Sequence, residues 1–457
     1  MAGDSTSSSG YDLSNHLPRS RPPVPIVDPV GSDHVRIHSR CGACGFEFNN
    51  GDTFYAFVCA GNNAGWSAPF TGFGEYEFPC VFANGSVGYP WLFCRSSVCR
   101  RCPSSPESST IHTTCLRLFL SQANTRDTQR QNDKMDLLRR LWLAATWRSP
   151  WPGLNPLELE PHVPYRSDRY PSTILDELPQ LQTLPVELSS KMWEFCKSGL
   201  LWRYSAVLDM ARELLNSPSP EPGPRPIARV RSWSRRGELI EEDGPGDSVI
   251  RLTIDSRGLE RIERLAIWPS GSSPGFDDKA FVVEPAKALA GVLVDFQLGL
   301  AHLQLPANRA TDFYTWDTPF PPLLKHSLFN VPIQYQPSRL RLLKLRGCTG
   351  ITFFMLFGST KAIHVHTARR PSAQNTFLTL TPHLQLSVSW IYVPIDSEIL
   401  EFGFTLKPRQ ARGIRRDQAF LLRLADQEDV LIGAQNVLNR EYALIKKPTT
   451  LIYDKTE

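Results

Sequence analysis

The 457-residue chain lacks the long apolar runs and the start signal that mark membrane and secreted proteins. Its best apolar stretch, residues 351–357, is far shorter than the roughly 20 residues that a membrane helix needs. Residues 1–16 contain no basic start followed by an apolar segment, so they do not resemble a secretory signal. We therefore expect an intracellular protein, cytoplasmic or nuclear, with no membrane partner.

The chain also lacks a strong net charge and a recognisable catalytic motif. Its 50 basic and 46 acidic side chains leave a formal charge of +4, which is too slight to indicate nucleic acid as a general partner. No hydrolase, zinc-protease, dinucleotide, P-loop or kinase motif lies in a workable sequence context. The sequence therefore predicts a protein that is not an enzyme, and we do not expect nucleic acid as a partner.

Cysteine, in contrast, is concentrated in one region. Eight of the ten cysteines lie between residues 41 and 115, among many aromatic residues and glycines. In an intracellular protein, cysteines grouped this closely are more often metal ligands or buried thiols than disulfides. The region therefore has the composition of a small unit that a metal stabilises.

Two pairs of residues in this region have the spacing of zinc ligands. Cys41 and Cys44 are separated by two residues, and so are His112 and Cys115, which precede the apolar helical segment 116–120. Structural zinc takes four such ligands as two close pairs, one on a tight turn and one at the start of a helix. We therefore predict these four residues as ligands of a structural Zn²⁺. With four protein ligands the site has no open position for substrate.

The remaining cysteines leave alternatives open. Cys94, Cys99 and Cys102 form a looser second group with the local spacing of metal ligands. Cys59 and Cys80 can join that group or be small buried hydrophobic residues.

The two ligand pairs and the helix after them resemble a treble-clef zinc finger of the LIM-like type, with a longer insertion between the pairs. The pattern does not fit a RING finger, because no further CxxC follows Cys115. The resemblance implies a structural zinc module and covers only this part of the chain.

Composition and hydrophobic period divide the rest of the chain. Apolar spacing predicts helices over 135–147, 184–196 and 200–215, and alternation predicts many short strands after residue 249. The predicted parts are a disordered tail (1–33), a Cys/His zinc-binding module (34–122), a helical region (135–216), a linker (217–247) and a β-rich domain (248–457). The predicted fold class is α+β and multidomain, with a small zinc-stabilised amino-terminal module, a short helical middle and a carboxy-terminal all-β sandwich or prism.

The predicted linker combines prolines with a basic block and an acidic block. Five arginines surround Trp233 and an acidic run follows them, so the positive field is largely cancelled. We interpret the segment as solvated, with phosphate binding by the arginines as the alternative.

The predicted helix pair resembles the start of an F-box, with an LPVEL segment at Leu184, then MW and LLW. In that family the helices bind the adaptor of a cullin ubiquitin ligase. The resemblance implies a protein partner, a ubiquitin-ligase adaptor, bound through Leu184, Pro185, Trp193 and Trp202. The sequence after Leu201 departs from the family pattern. The alternative is a helical hairpin that docks the zinc module onto the β-rich domain.

The last 110 residues resemble a jacalin-type β-prism lectin over Gly350-Ile-Thr-Phe-Phe and Phe420-Leu-Leu-Arg-Leu. This resemblance implies carbohydrate binding, with Trp316, Trp390 and Tyr392 stacking on sugar rings. The aspartate loop that binds sugar in that family is not matched. Lectin function is therefore the alternative prediction.

The combination of a Cys/His module, a helix pair and a β-rich tail resembles uncharacterised families of filamentous-fungal proteins. Some of those proteins are encoded beside secondary-metabolite genes. The main prediction from the sequence is a non-enzymatic, intracellular interaction or adaptor protein that contains a structural zinc site.

Overall fold

A computed structural model describes most of the chain. The described residues are 33–49, 51–60, 63–66, 70–71, 81–83, 91–94, 102, 107–124, 131–152, 157, 159–161, 185–196, 199–216, 223–242, 248–271, 275–306, 313–323, 339–380, 382–405, 419–433 and 442–454. The fold is mixed α+β and rich in strands, which confirms the coarse fold class. The predicted tail 1–33 lies outside the described residues except for its last residue.

The amino-terminal part consists of short strands followed by helices. The strands are β1 (Asp33–Arg36), β2 (Thr53–Ala60), β3 (Asn63–Trp66), β4 (Phe70–Thr71), β5 (Val81–Ala83), β6 (Trp91–Cys94) and β7 (Ser108–His112). The helices are α1 (Thr113–Asn124), α2 (Gln131–Thr146), α3 (Val186–Phe195) and α4 (Leu200–Asn216). Strand β2 pairs with β3, β4 and β7, and β6 lies between β1 and β5.

Strands dominate after residue 224. They are β8 (Arg225–Pro226), β9 (Val230–Ser234), β10 (Ile240–Glu241), β11 (Val249–Asp255), β12 (Gly258–Leu265), β13 (Lys279–Pro285), β14 (Leu293–Gln297), β15 (Leu300–Gln304), β16 (Thr315–Trp316), β17 (Arg339–Lys344), β18 (Gly350–Leu356), β19 (Ser359–His366), β20 (Ser389–Pro394), β21 (Ile399–Thr405), β22 (Ala419–Leu424), β23 (Val430–Gly433), β24 (Tyr442–Lys446) and β25 (Thr450–Asp454). Helices α5 (Gln374–Leu378) and α6 (Pro382–Ser387) separate β19 from β20, and 3₁₀ turns cover Ile227–Arg229 and Ala286–Leu289.

These strands form several sheets. One has eight strands in the order β10-β9-β12-β11-β13-β16-β17-β25. Smaller sheets have the orders β15-β14-β8, β19-β18-β20 and β23-β22-β21-β24. The predicted β-rich character is confirmed, while the division into domains and the sandwich or prism form stay predictions.

The helices predicted from apolar spacing are confirmed. Helix α2 covers the predicted segment from residue 135 to within one residue of its end, and α3 and α4 lie where the helix pair was expected. Pro185 is the N-cap of α3, a position where a missing N–H costs nothing. No helix among the described residues is both long enough and apolar enough to cross a bilayer.

The predicted linker 217–247 is not an irregular solvated segment throughout, because it contains strands β8, β9 and β10. Strand β9 pairs with β12, and β10 pairs with β9. The basic block has ion-pair partners: Arg235 donates to both Asp255 oxygens at 2.7 and 2.8 Å, and Arg231 pairs at 2.7 Å with Glu242 of the acidic run. Charge composition alone indicated a solvated segment because these pairings are not visible in the sequence.

Helix α4 connects the amino-terminal part to the large sheet. Its apolar face packs in the same core as the cysteine-rich region, including Trp202 and Leu214. Its acidic side chains Asp209 and Glu213 pair with Arg257, which lies in the turn between β11 and β12. The Arg257 Nη1 to Asp209 Oδ2 distance is 3.0 Å. These contacts join α4 to the cysteine-rich core and to the large sheet, while the helical hairpin as a docking element stays a prediction.

The turn at Gly258 fixes a second contact between these parts. Gly258 has a φ of +100°, and a Cβ atom there would lie 2.1 Å from the carbonyl oxygen of Trp147, just after α2. Gly258→Ala is therefore expected to lower the free energy of unfolding by about 2–4 kcal/mol, through left-handed strain and a backbone clash. Chemical denaturation measures the change.

Gly299→Ala is the matched control, because Gly299 has a φ of +69° and open space around it. Strain alone predicts a loss of about 1 kcal/mol there. Equal losses in the two variants would contradict the close approach of Gly258 to Trp147.

Candidate metal centre

The first ligand pair lies on a tight turn between β1 and β2. The N–H of Gly45 donates to the Cys41 carbonyl at 2.7 Å, and the Cys41 N–H donates to the Phe46 carbonyl at 2.8 Å. Gly45 has a φ of +81°, which a side chain would strain, and a Cβ atom there would lie 2.8 Å from the Arg148 guanidinium. The turn therefore closes tightly and directs the Cys41 and Cys44 sulfurs into the core.

The second pair lies at a corner between a strand and a helix. His112 is the last residue of β7 and Cys115 lies in the first turn of α1. Strand β7 pairs with β2, and the register places His112 opposite Phe54. The sequence predicted both residues in the first helical turn, whereas the structure places the histidine at the strand end.

The two pairs meet as a Cys/His cluster that consists of Cys41, Cys44, His112 and Cys115. Their four donor atoms all lie within 4.8 Å of one another. The Nδ1 atom of His112 is 3.5 Å from the sulfur of Cys44 and 3.6 Å from that of Cys115. All four residues are at least 98% buried. The cluster is therefore a candidate metal site that is closed to solvent. It joins distant parts of the chain, because the His112 N–H donates to the sulfur of Cys41, 71 positions away.

Crowding prevents the three thiols from ionising together. Hydrogen bonds with Cys41 and Cys44, and then burial, raise the pKa of Cys115 far above its ordinary value. Burial raises the pKa of Cys44 as well. Burial opposes ionisation of Cys41, yet hydrogen bonds from Cys115 and Cys44 hold its pKa well below the usual range. A divalent cation at the centre would stabilise all three thiolates, since metal ligation deprotonates thiols.

Arg148 donates hydrogen bonds to the turn that contains Cys41 and Cys44. Its guanidinium donates to the carbonyls of Gly42 at 2.6 Å and Ala43 at 2.8 Å, and to the carbonyl of Ser256 at 2.6 Å. Burial lowers the pKa of Arg148, while the nearby Cys44 and Cys41 oppose that shift. The side chain thus joins the turn that contains Cys41 and Cys44, which we call the ligand turn, to the turn between β11 and β12. It also brings a positive charge near the sulfurs.

Asp52 and Arg203 lie beside the His112 ring of the cluster. The Nε2 atom of His112 is 3.2 Å from Asp52 Oδ2. Arg203 of α4 donates to both Asp52 oxygens, at 3.1 and 3.0 Å. Partial burial opposes ionisation of Asp52, but the bonds from Arg203 and from the Asn49 N–H hold its pKa below the ordinary value. Sequence inspection missed Asp52, Arg203 and Arg148, because no local motif marks them.

The second cysteine group lies only partly within the described residues. Cys94 and Cys102 are buried, whereas Cys99 and Cys80 lie outside the described residues. A second metal site from Cys94, Cys99 and Cys102 therefore stays a prediction. Cys59 is buried in β2, and burial raises its pKa to about 11, as expected for a small apolar thiol.

The predicted partner-binding residues fall in different places. Trp193 and Trp202 are buried and pack on each other with ring centroids 5.7 Å apart. They support the helix pair from inside and do not reach the surface. Pro185 is exposed, and Leu184 lies outside the described residues. The role of all four in binding a partner stays a prediction.

Comparisons with known proteins add no relative. No family model matches the chain, and no curated protein and no solved structure matches it. The class that the fold and the site define is a mixed α+β, strand-rich chain with a buried Cys/His cluster as its candidate metal centre.

Proposed function

We propose that this chain is a non-enzymatic protein-interaction protein in which a structural Zn²⁺ at the Cys/His cluster holds a helix pair in place. The observation that carries the proposal is an exposed apolar face of α3. The buried side of this helix packs in the same hydrophobic core as the Cys/His cluster. Burial of all four ligands supports a structural role, because a catalytic zinc site keeps a position open for water or substrate.

The spacing of the donor atoms supports zinc as the metal. Bond lengths of about 2.3 Å to sulfur and 2.0–2.1 Å to nitrogen place neighbouring ligands of a tetrahedron about 3.6 Å apart. The Nδ1 atom of His112 lies 3.5 and 3.6 Å from the sulfurs of Cys44 and Cys115. Three thiolates and one imidazole form a borderline-soft donor set that suits zinc better than calcium or magnesium.

The charges around the cluster also suit this assignment. Three thiolates and one Zn²⁺ leave one net negative charge, and a buried net charge needs a partner. Arg148 supplies a buried positive charge beside the ligand turn, while Arg203 and Asp52 neutralise each other. With Zn²⁺ bound, the three thiolates, the metal and Arg148 would together carry a net charge close to zero.

The partner surface that we propose is the α3 face, defined as Pro185, Leu188 and Met192. These residues follow one another at spacings of three and four, so they lie on one side of the helix. Leu188 is 47% exposed and Met192 is 37% exposed. Trp193, the next residue, is buried against Phe46, so the face lies on a helix that Trp193 anchors in the core. The F-box resemblance names the adaptor of a cullin ubiquitin ligase as the candidate partner.

Replacing Leu188 and Met192 together with lysine is expected to reduce partner binding at least tenfold, because charge at the centre of an apolar interface is costly while helix propensity is kept. The purified ligase adaptor and partners recovered by the wild-type chain serve as binding probes. Leu386→Lys is the matched control, since Leu386 is 91% exposed on α6, which is not part of the helix pair.

An adaptor that does not bind the wild-type chain would remove the F-box-like form of the proposal. A double lysine variant that keeps every wild-type partner would contradict the α3 face as the binding surface.

Carbohydrate binding is the second candidate, favoured by exposed aromatic residues on β20. Trp390 is 45% exposed and Tyr392 is 55% exposed, two residues apart on one side of the strand. Trp316 is 3% exposed and is not available for stacking on sugar. A glycan array on the full chain, repeated with Tyr392→Ala, tests this candidate, and a blank array removes it.

A further inference from the structure

A chain of three side chains joins the Cys/His cluster to the helix pair. The Nδ1 atom of His112 faces the sulfurs, whereas its Nε2 atom lies 3.2 Å from Asp52 Oδ2. Both oxygens of Asp52 accept hydrogen bonds from Arg203, which is 95% buried in the first turn of α4. One carboxylate therefore connects a ring of the candidate metal site to the helix.

Asp52 is held in place independently of α4. Its Oδ2 atom accepts the N–H of Asn49 at 2.7 Å, and its own N–H donates to the Asn49 carbonyl at 3.0 Å. This turn leads directly into β2, and β2 pairs with β7, which ends at His112. The same sheet thus fixes the carboxylate and the imidazole relative to each other.

A metal at the cluster would determine what Nε2 can do. If His112 ligates through the nitrogen that faces the sulfurs, the neutral ring carries its proton on Nε2, and that N–H would donate to Asp52. A metal-free neutral ring can carry its proton on Nδ1 instead, and its Nε2 lone pair then faces the carboxylate. Metal binding would thus favour the tautomer in which His112 donates to Asp52, the carboxylate that also accepts hydrogen bonds from Arg203.

A second route between the cluster and the helix pair runs through aromatic rings. Phe46 ends the ligand turn, and its carbonyl accepts the Cys41 N–H. The Phe46 ring packs edge-on against Trp193, with centroids 5.9 Å apart, and Trp193 packs against Trp202. Trp202 directly precedes Arg203, so both routes end at the same turn of α4.

We propose that Asp52 and Arg203 are positioning residues that couple metal binding at the Cys/His cluster to docking of the helix pair, so that the metal controls presentation of the α3 face. This inference rests on the proposed function, because the α3 face is its partner surface. Linkage requires that docked helices strengthen metal binding by the same factor by which the metal strengthens docking.

Amide hydrogen exchange on the full chain, with zinc and after treatment with a chelator, tests the coupling without any partner. Amides of α4 are expected to exchange at least about tenfold faster without metal, since local opening governs their protection. Amides of β18 and β19, in a separate core, are the internal control and keep their rates. Equal α4 exchange in the two states would overturn the proposal.

Metal affinity in a double-mutant cycle tests the two named residues. Asp52→Asn and Arg203→Gln are each expected to lower zinc affinity about 10- to 100-fold in chelator competition. The double variant is expected to lose no more zinc affinity than the single variant with the larger loss, because both changes break one chain of contacts. Asp136→Asn, which removes an exposed charge on α2, keeps wild-type affinity. Additive losses, or single variants with wild-type affinity, would overturn the assignment.

The two proposals fail in different ways. If zinc protects α4 but neither form of the chain binds a partner, the proposed function is wrong and the coupling stands. If a partner binds equally with and without zinc while α4 exchange is unchanged, the coupling is wrong and the interaction function stands.

Discussion

Cys115→Ser is expected to release zinc from the Cys/His cluster and to unfold the amino-terminal module. Structural zinc in small modules contributes about 10–16 kcal/mol of apparent binding free energy, and that energy is folding energy. The ligand atoms lie in the core that also contains Phe54 and Trp202, so losing the metal loosens the packing of β2 and α4. We expect the free energy of unfolding to fall by about 5 kcal/mol or more.

Zinc content, together with a thermal or chemical unfolding transition, measures this effect. Cys59→Ser is the matched control, because Cys59 is a buried cysteine on β2 outside the cluster. It is expected to cost about 1–3 kcal/mol for a buried hydroxyl while keeping the metal. A Cys115→Ser chain that keeps its zinc would show that the sulfur is not a ligand.

Arg148→Met is expected to be strongly destabilising, although Arg148 is not one of the predicted ligands. It removes the Arg148 donor from three carbonyls, those of Gly42, Ala43 and Ser256, and it removes a positive charge beside the turn that contains Cys41 and Cys44. Breaking such a buried charged network costs about 3–5 kcal/mol. The loss should appear as a lower denaturation midpoint and as faster zinc release to a chelator, because the ligand turn loses its support.

Arg231→Met is the matched control for this substitution. Arg231 is 61% exposed and pairs with Glu242 at the surface, where an ion pair contributes at most about 1 kcal/mol. Similar stability losses in the two arginine variants would contradict the role of Arg148 as the support of the ligand turn.

The four residues of the Cys/His cluster could be predicted from the sequence because each pair is local. Two cysteines at a spacing of three belong to one turn, and His112 and Cys115 belong to one corner between a strand and a helix. The pairing of these two local units could not be derived from spacing, since it depends on the register of β2 against β7. The chemistry of the donors supplied the missing link, because zinc completes its tetrahedron from two such pairs.

The surroundings of the cluster could not be predicted in the same way. Arg203 and Asp52 are 151 positions apart, and Arg148 bonds carbonyls that lie 105 and 106 positions away. Their partners are backbone atoms or isolated side chains, which leave no pattern in one sequence. The same cause explains why strands β8, β9 and β10 were not predicted, since partners such as Asp255 neutralise a basic block that resembled a solvated segment.

The helix pair shows that apolar spacing predicts a helix more readily than it predicts whether the apolar side chains form a core or a partner surface. The apolar spacing predicted α3 and α4, yet Trp193 and Trp202 could be assigned equally to a partner surface or to a core. Trp193 packs against Phe46 and Trp202 packs against Trp193, so both belong to the core. The large apolar side chains exposed on the described part of the helix pair are Leu188, Met192 and Leu200. A partner would therefore contact the outer side of the helix that the tryptophans hold.

The most direct test of the account is the zinc content of the purified full chain, compared with Cys41→Ser and His112→Ala. We predict at least one tightly held zinc ion per wild-type chain and one ion fewer in each variant. Zinc held at the Cys94, Cys99 and Cys102 group would be retained in the variants, so the difference isolates the Cys/His cluster. A wild-type chain without zinc, or variants with the wild-type content, would contradict the central claim.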